Sequence, residues 1–71
     1  MREFLGRRTE IDKVHRILTL QLGTSLMVSV KACMTAQSAR DLVGDINRCE
    51  VAMRAEFPEI QWLFFEPDSH D

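Results

Sequence analysis

Two stretches of alternating apolar and polar residues meet at Gly23, and this pattern constrains the fold more than any other feature of the sequence. Alternation is typical of strands with one buried face, because successive side chains point to opposite sides of a strand. The first stretch covers residues 13–22 and the second covers residues 26–33, and the three residues between them suit a tight turn. The sequence therefore predicts a β-hairpin.

The parity of the alternation predicts which side chains face the core. The apolar majority of each strand shares one parity, which we expect on the core face. Its members are Val14, Leu18, Leu20, Leu22, Leu26, Val28, Val30 and Ala32. Ile17 and Met27 have the opposite parity and are expected on the other face of the sheet.

Two helices are predicted around the hairpin. Residues 2–8 can form about two turns, which need tertiary support to be stable. Ser38 and Asp41 form an S-x-x-D start signal for a helix over residues 38–56, and Pro58 stops it. One apolar stripe at helical spacing indicates that this helix covers a sheet on one side. The stripe consists of Leu42, Ile46, Cys49, Met53 and Phe57.

A last strand is predicted over residues 60–66, with Pro67 ending it and a polar tail over 67–71. Because a strand–helix–strand crossover joins parallel strands and places its helix on one face, both helices are expected on the same side of the sheet. Trp62 and Phe64 then lie on the uncovered side. An exposed apolar surface of this kind usually marks a contact surface, most simply for a second copy of the chain. The predicted interface residues are Ile17, Met27, Trp62 and Phe64.

Composition excludes several functions. The 71 residues carry 11 acidic and 9 basic side chains, a net charge of −2, which argues against a nucleic-acid partner. The longest apolar run, residues 62–65, is far too short to cross a bilayer, and no secretory signal is recognisable. Cys33 and Cys49 are therefore expected as reduced thiols in a cytosolic setting, with a single disulfide as the alternative. The sequence lacks a phosphate-binding glycine loop and a G-x-S-x-G motif, so we expect a protein that is not an enzyme.

Three segments in register resemble a known family. They are "VHRILTLQLG" (14–23), "SARDLVGDINRCEVAMRAEFP" (38–58) and "WLFFEPD" (62–68). They resemble the C-terminal cytoplasmic domain of cation diffusion facilitator transporters, which exchange divalent cations for protons. The resemblance implies an α+β, ferredoxin-like fold of αββαβ order, with a three-stranded mixed sheet covered by helices on one face. It also implies that residues 1–71 are a single cytoplasmic regulatory domain, without the transmembrane domain to which it is attached in the full-length transporter.

The resemblance further implies a homodimer that binds a divalent cation at its cleft. His15 and Glu66 occupy positions that are metal ligands in zinc-binding members of the family. Where such members have further histidines, this chain has Lys31, Val43 and Phe64, so the usual multi-histidine site is not intact.

Ligand chemistry adds other candidate donors to these two. Divalent first-row ions favour imidazole and carboxylate ligands, and cysteine is a softer option. The candidate metal ligands are His15, Cys33, Glu66, Asp68 and His70, with Asp71 beside them. Zinc is the expected ion, with cadmium, nickel, cobalt, manganese and iron as alternatives. A solvated His15 and a merely solubilising tail remain the competing interpretations, as do a metal-independent dimerisation module and a soluble metallochaperone.

Overall fold

The computed structural model describes residues 1–68, which form helices α1 (Arg2–Gly6) and α2 (Ala39–Glu56) and strands β1 (Ile11–Leu22), β2 (Ser25–Met34) and β3 (Ile60–Asp68). The strands form one sheet in the order β1-β2-β3. β1 pairs antiparallel with β2, and β2 pairs parallel with β3. The prediction of an α+β fold with a three-stranded mixed sheet is confirmed, and the αββαβ order is compatible with a ferredoxin-like arrangement.

The ends of the elements follow local chemistry. The Ser38 hydroxyl accepts a hydrogen bond from the Asp41 amide at 3.2 Å, which caps α2 where the start signal predicted. Helix α1 is shorter than predicted and ends at Gly6. The prediction that Pro67 ends the last strand is wrong, because β3 continues to Asp68. Pro67 is tolerated there because β3 is an edge strand, where a residue without an amide N–H can face the unpaired side of the sheet.

Both helices pack against the same face of the sheet. Leu5 of α1 and Met53 of α2 are fully buried in one core with Val28 and Val30 of β2. The rest of the predicted α2 stripe also packs into or against this core. Within residues 1–68, neither helix has the length and apolar character that crossing a membrane requires.

Two bulges in β1 determine which of its side chains reach the core. Ile11, Val14 and Ile17 are three residues apart, yet all of them pack into or against the core. The pairing register with β2 shifts between Ile11 and Lys13 and again between Val14 and Arg16. At each of these two places β1 contains one residue more than β2. An extra residue moves every following side chain to the opposite face. The prediction that Ile17 lies on the uncovered face is therefore wrong.

The second bulge, which lies between Val14 and Leu18, moves three leucines out of the predicted core. Leu18, Leu20 and Leu22 were expected on the core face, and the structure places them on the other side of the sheet. They are 54%, 48% and 47% exposed. The uncovered face is consequently more apolar than the sequence pattern predicts.

Ion pairs fasten the segment before β1 to α2. The Arg8 guanidinium donates two hydrogen bonds to the Glu10 carboxylate, at 2.9 and 3.1 Å, and Arg48 of α2 lies 3.6 Å from the same carboxylate. Burial alone would raise the pKa of Glu10. The hydrogen bonds and positive charges of its arginine partners outweigh that effect, so the pKa is lowered and the carboxylate stays ionised.

Gly23 should be the glycine whose replacement costs most. It begins the two-residue turn between Leu22 and Ser25 with φ of 62°, a conformation that favours glycine. We expect Gly23→Ala to lower the free energy of unfolding by about 1–2 kcal/mol, measured by urea denaturation. Gly6→Ala is the matched control, because it adds a methyl group into open space within a helix and should be neutral or stabilising. An equal loss in both variants would contradict the assignment of strain to the turn.

Candidate functional site

The side of the sheet that faces away from α1 and α2 is called the open face below. Its apolar part consists of two rows that cross the three strands in register. The first row is Leu20, Met27 and Trp62, and the second is Leu18, Ser29 and Phe64. Phe64 is 58% exposed and Trp62 is 40% exposed, so large apolar side chains face solvent in a contiguous patch.

The other end of the open face is charged. Going from β1 to β3, one row is Arg16, Lys31 and Glu66, and the next is Lys13, Cys33 and Asp68. Positive side chains therefore lie on the β1 side of this end and negative side chains on the β3 side. The row that contains Cys33 is adjacent to His15, which is the extra residue of the second bulge.

His15, Cys33 and Asp68 form a chain of contacts across all three strands. His15 Nε2 lies 3.0 Å from Cys33 Sγ, and His15 Nδ1 lies 3.2 Å from Asp68 Oδ2. Since a carboxylate can only accept, Nδ1 carries the proton and donates to Asp68. In the neutral imidazole, Nε2 is then the acceptor for the Cys33 thiol.

Cys33 is buried, with 1% of its surface exposed, although it is not a member of the core between sheet and helices. Burial raises the pKa of the Cys33 thiol, and the negative charges of Asp68 and Asp12 raise it further against the opposing charge of Lys13. Cys49 is buried in the core on the opposite side of the sheet. Both thiols are free, so the alternative of a disulfide between them is wrong.

The candidate donors of one chain do not form a metal site within the described residues. Within residues 1–68, no group of three or more His, Cys, Asp or Glu side chains is arranged to hold a metal ion. His15 Nε2 and Cys33 Sγ are a suitable nitrogen and sulfur pair, whereas the Asp68 oxygen contacts the other ring nitrogen of His15. A carboxylate in that place orients a metal-binding histidine. Glu66 lies in the row with Lys31, and His70 and Asp71 fall outside the described residues.

The structure brings together three of the five predicted metal ligands, namely His15, Cys33 and Asp68. Met27, Trp62 and Phe64 share the open face as expected, whereas Ile17 does not. The alternating pattern did not predict the leucines of β1 on that face. The signal was present in the threefold spacing of Ile11, Val14 and Ile17, which a regular strand cannot direct to one side.

Scans against protein-family models, curated proteins and solved structures return no match to this chain. The resemblance to the cation diffusion facilitator family therefore rests on the three motifs alone.

The thiol of Cys33 should titrate above the ordinary range of cysteine, and Asp68→Asn should lower its pKa by removing an adjacent negative charge. In a Cys49→Ala background one thiol remains, and the chain contains no tyrosine, so ultraviolet absorbance follows the thiolate directly. Because the thiol has a higher pKa in the folded chain than in the unfolded chain, its protonated form stabilises the fold. This stabilisation is complete at a pH below the thiol pKa of the unfolded chain, about 8.5, and it is lost as the pH rises through the thiol pKa of the folded chain. Glu59→Gln, on the surface, is the control, and an unchanged midpoint in Asp68→Asn would contradict the assignment.

Proposed function

We propose that this chain is the cytoplasmic dimerisation and regulatory domain of a cation diffusion facilitator transporter, and that a divalent cation biases the arrangement of its two copies. The observation that carries the proposal is the open face, where leucines of β1 and aromatic residues of β3 line the side of the sheet opposite α1 and α2. Apolar side chains on an uncovered face of a sheet are stabilised when a second layer removes them from water. The motifs shared with the family supply the transporter context.

Size suggests how strong such a dimer would be. Three strands about 4.8 Å apart, each with some 9 residues at about 3.3 Å per residue, form a face of roughly 14 Å by 30 Å. The flat area of this face is about 400 Å² per copy. That footprint lies below the usual area of stable specific complexes, about 1,200–2,000 Å² in total. We infer that the open face alone supports a weak, micromolar dimer, which suits a domain whose arrangement is regulated.

Charging the apolar patch should separate the two copies. Phe64→Glu places a carboxylate where an apolar contact is required, and we expect the dimer dissociation constant to rise by at least about tenfold. Val51→Glu is the matched control, because Val51 is 69% exposed on α2, on the opposite side of the sheet. Sedimentation equilibrium measures both, and thermal melts verify that both variants fold. A wild-type chain that stays monomeric at tens of micromolar would contradict the dimerisation proposal.

Metal binding is the second part of the proposal. The contact of His15 with Cys33, and of the same imidazole with Asp68, favours it over the metal-independent dimerisation module. A cation that takes donors from both copies would favour the arrangement in which those donors converge, and it would shift the population toward that arrangement. A soluble metallochaperone with the same site is distinguished by whether the gene encodes transmembrane helices before residue 1.

Removal of the His15 imidazole should weaken metal binding strongly. Titration calorimetry with Zn²⁺, Cd²⁺ and Ni²⁺ should give saturable binding to the wild-type chain, and His15→Ala should weaken it by at least about a hundredfold, since a direct ligand is lost. His70→Ala is the comparison that determines whether the tail contributes a ligand. Equal affinities of wild type and His15→Ala, or no saturable binding below millimolar concentrations, would leave the metal-independent module as the function.

A further inference from the structure

One edge of the sheet lacks the features that prevent strand edges from pairing. The two edges are β1 and β3. Charged residues, proline and bulges usually protect an edge, because its unpaired backbone groups can otherwise bond to another strand. β3 carries Glu66, Pro67 and Asp68 at its end. In β1 both bulges precede Arg16, and residues 17–22 contain neither a charged residue nor a proline. The second half of β1 is therefore open to pairing.

Residues 16–22 of β1, called the free edge below, direct alternate backbone groups away from β2. A two-residue turn joins Leu22 to Ser25, and the pair that flanks such a turn exchanges both of its backbone hydrogen bonds. The bonded pairs alternate from there, so the residues whose N–H and C=O groups point outward are Ile17, Thr19 and Gln21. Within residues 1–68, the backbone of the free edge makes no hydrogen bond outside its ladder with β2. Three residues thus have backbone groups that a further strand could bond.

The free edge is complementary to a second copy of itself. It begins after a bulge and ends at the hairpin turn, so the longest antiparallel register between two copies is centred on its middle residue, Thr19. Thr19 then lies beside Thr19 of the second copy, and Leu18 lies beside Leu20 of the second copy, which is a favourable apolar pair. Arg16 lies beside Leu22 of the second copy. No like charges oppose each other in this register.

We propose that the free edges of two copies pair antiparallel about Thr19 and join the two sheets into one sheet of six strands. Side chains that lie opposite each other share a face, so the helices of both copies lie on one side and the two open faces become continuous. Two faces of about 400 Å² each give about 800 Å². A face-to-face contact between two such pairs would bury about 1,600 Å² in total, the usual size of a stable interface. This inference goes beyond the proposed function, because it depends neither on a metal ion nor on the open-face dimer.

Disulfide cross-linking of the full chain tests the register. Phe64→Glu in all samples weakens open-face contacts, and Thr19→Cys then places two thiols in a hydrogen-bonded pair whose Cα atoms are about 5.5 Å apart, within disulfide range. We expect a cross-linked dimer to form at least about tenfold faster than in Gln21→Cys, whose equivalent in the second copy is four residues, or about 14 Å, away. The chain without an added cysteine is the blank, because Cys33 and Cys49 are buried. Equal rates, or faster cross-linking of Gln21→Cys, would overturn the register.

Hydrogen exchange tests the pairing without any substitution. The outward amides of the free edge, those of Ile17, Thr19 and Gln21, should exchange at least about tenfold more slowly in concentrated than in dilute protein. Thr19→Pro removes one outward N–H and leaves the ladder with β2 intact, so we expect it to raise the dissociation constant by at least about tenfold. Thr19→Val, which keeps the N–H, is the matched control, and circular dichroism verifies that both variants fold.

Sedimentation equilibrium of the same variants separates this inference from the proposed function. Association that is lost in Thr19→Pro and unchanged in Phe64→Glu would confirm the edge pairing and contradict the open-face dimer. Association that is lost in Phe64→Glu, with the outward amides of the free edge unprotected, would overturn the edge pairing alone. A chain that stays monomeric would contradict both, and would leave the free edge for an extended strand of another protein.

Discussion

The shape of this domain depends on two extra residues in one strand. A strand sends alternate side chains to opposite faces, so Ile11, Val14 and Ile17 can share the core only if a bulge follows each of the first two. Beyond the second bulge the strand is regular again, and its leucines are left on the open face. A burial requirement at one end of β1 thus creates an apolar surface at the other end.

The second bulge also places the histidine. His15 is the extra residue, and its ring contacts a side chain on each of the two neighbouring strands, Cys33 on β2 and Asp68 on β3. A regular strand would direct residues 15 and 16 to opposite faces. The core alignment of β1, the apolar patch and the candidate ligand cluster therefore have one structural cause.

Local signals in the sequence predict the helices and strands correctly, whereas the alternation in β1 predicts the wrong face for several of its side chains. Local signals such as Gly23 and Ser38 can be recognised in a single sequence. They determine the hairpin turn, the start of helix α2 and the order of the elements. The faces of β1 were predicted from strict alternation, but the strand instead bulges so that Ile17 packs against the core. That outcome depends on tertiary contacts. The contact of His15 with Asp68 required β3 to continue past Pro67, and edge position, a tertiary property, allows that.

In the proposed function, the weak association of two copies and the incomplete set of metal ligands in each copy complement each other. As a dimer interface, the open face would be smaller than those of stable complexes, and within residues 1–68 no group of three or more potential donors is arranged to hold a metal ion. An ion that needs donors from two copies binds only the dimer and stabilises it by about 2.7 kcal/mol at a hundred times its dissociation constant. By reciprocity, association strengthens ion binding to the same extent. A larger apolar interface would hold the dimer together without the ion, and a complete site in one chain would bind the ion without the dimer. Under the proposed function, the two deficits together would allow a change in cation concentration to change the assembly of the domain.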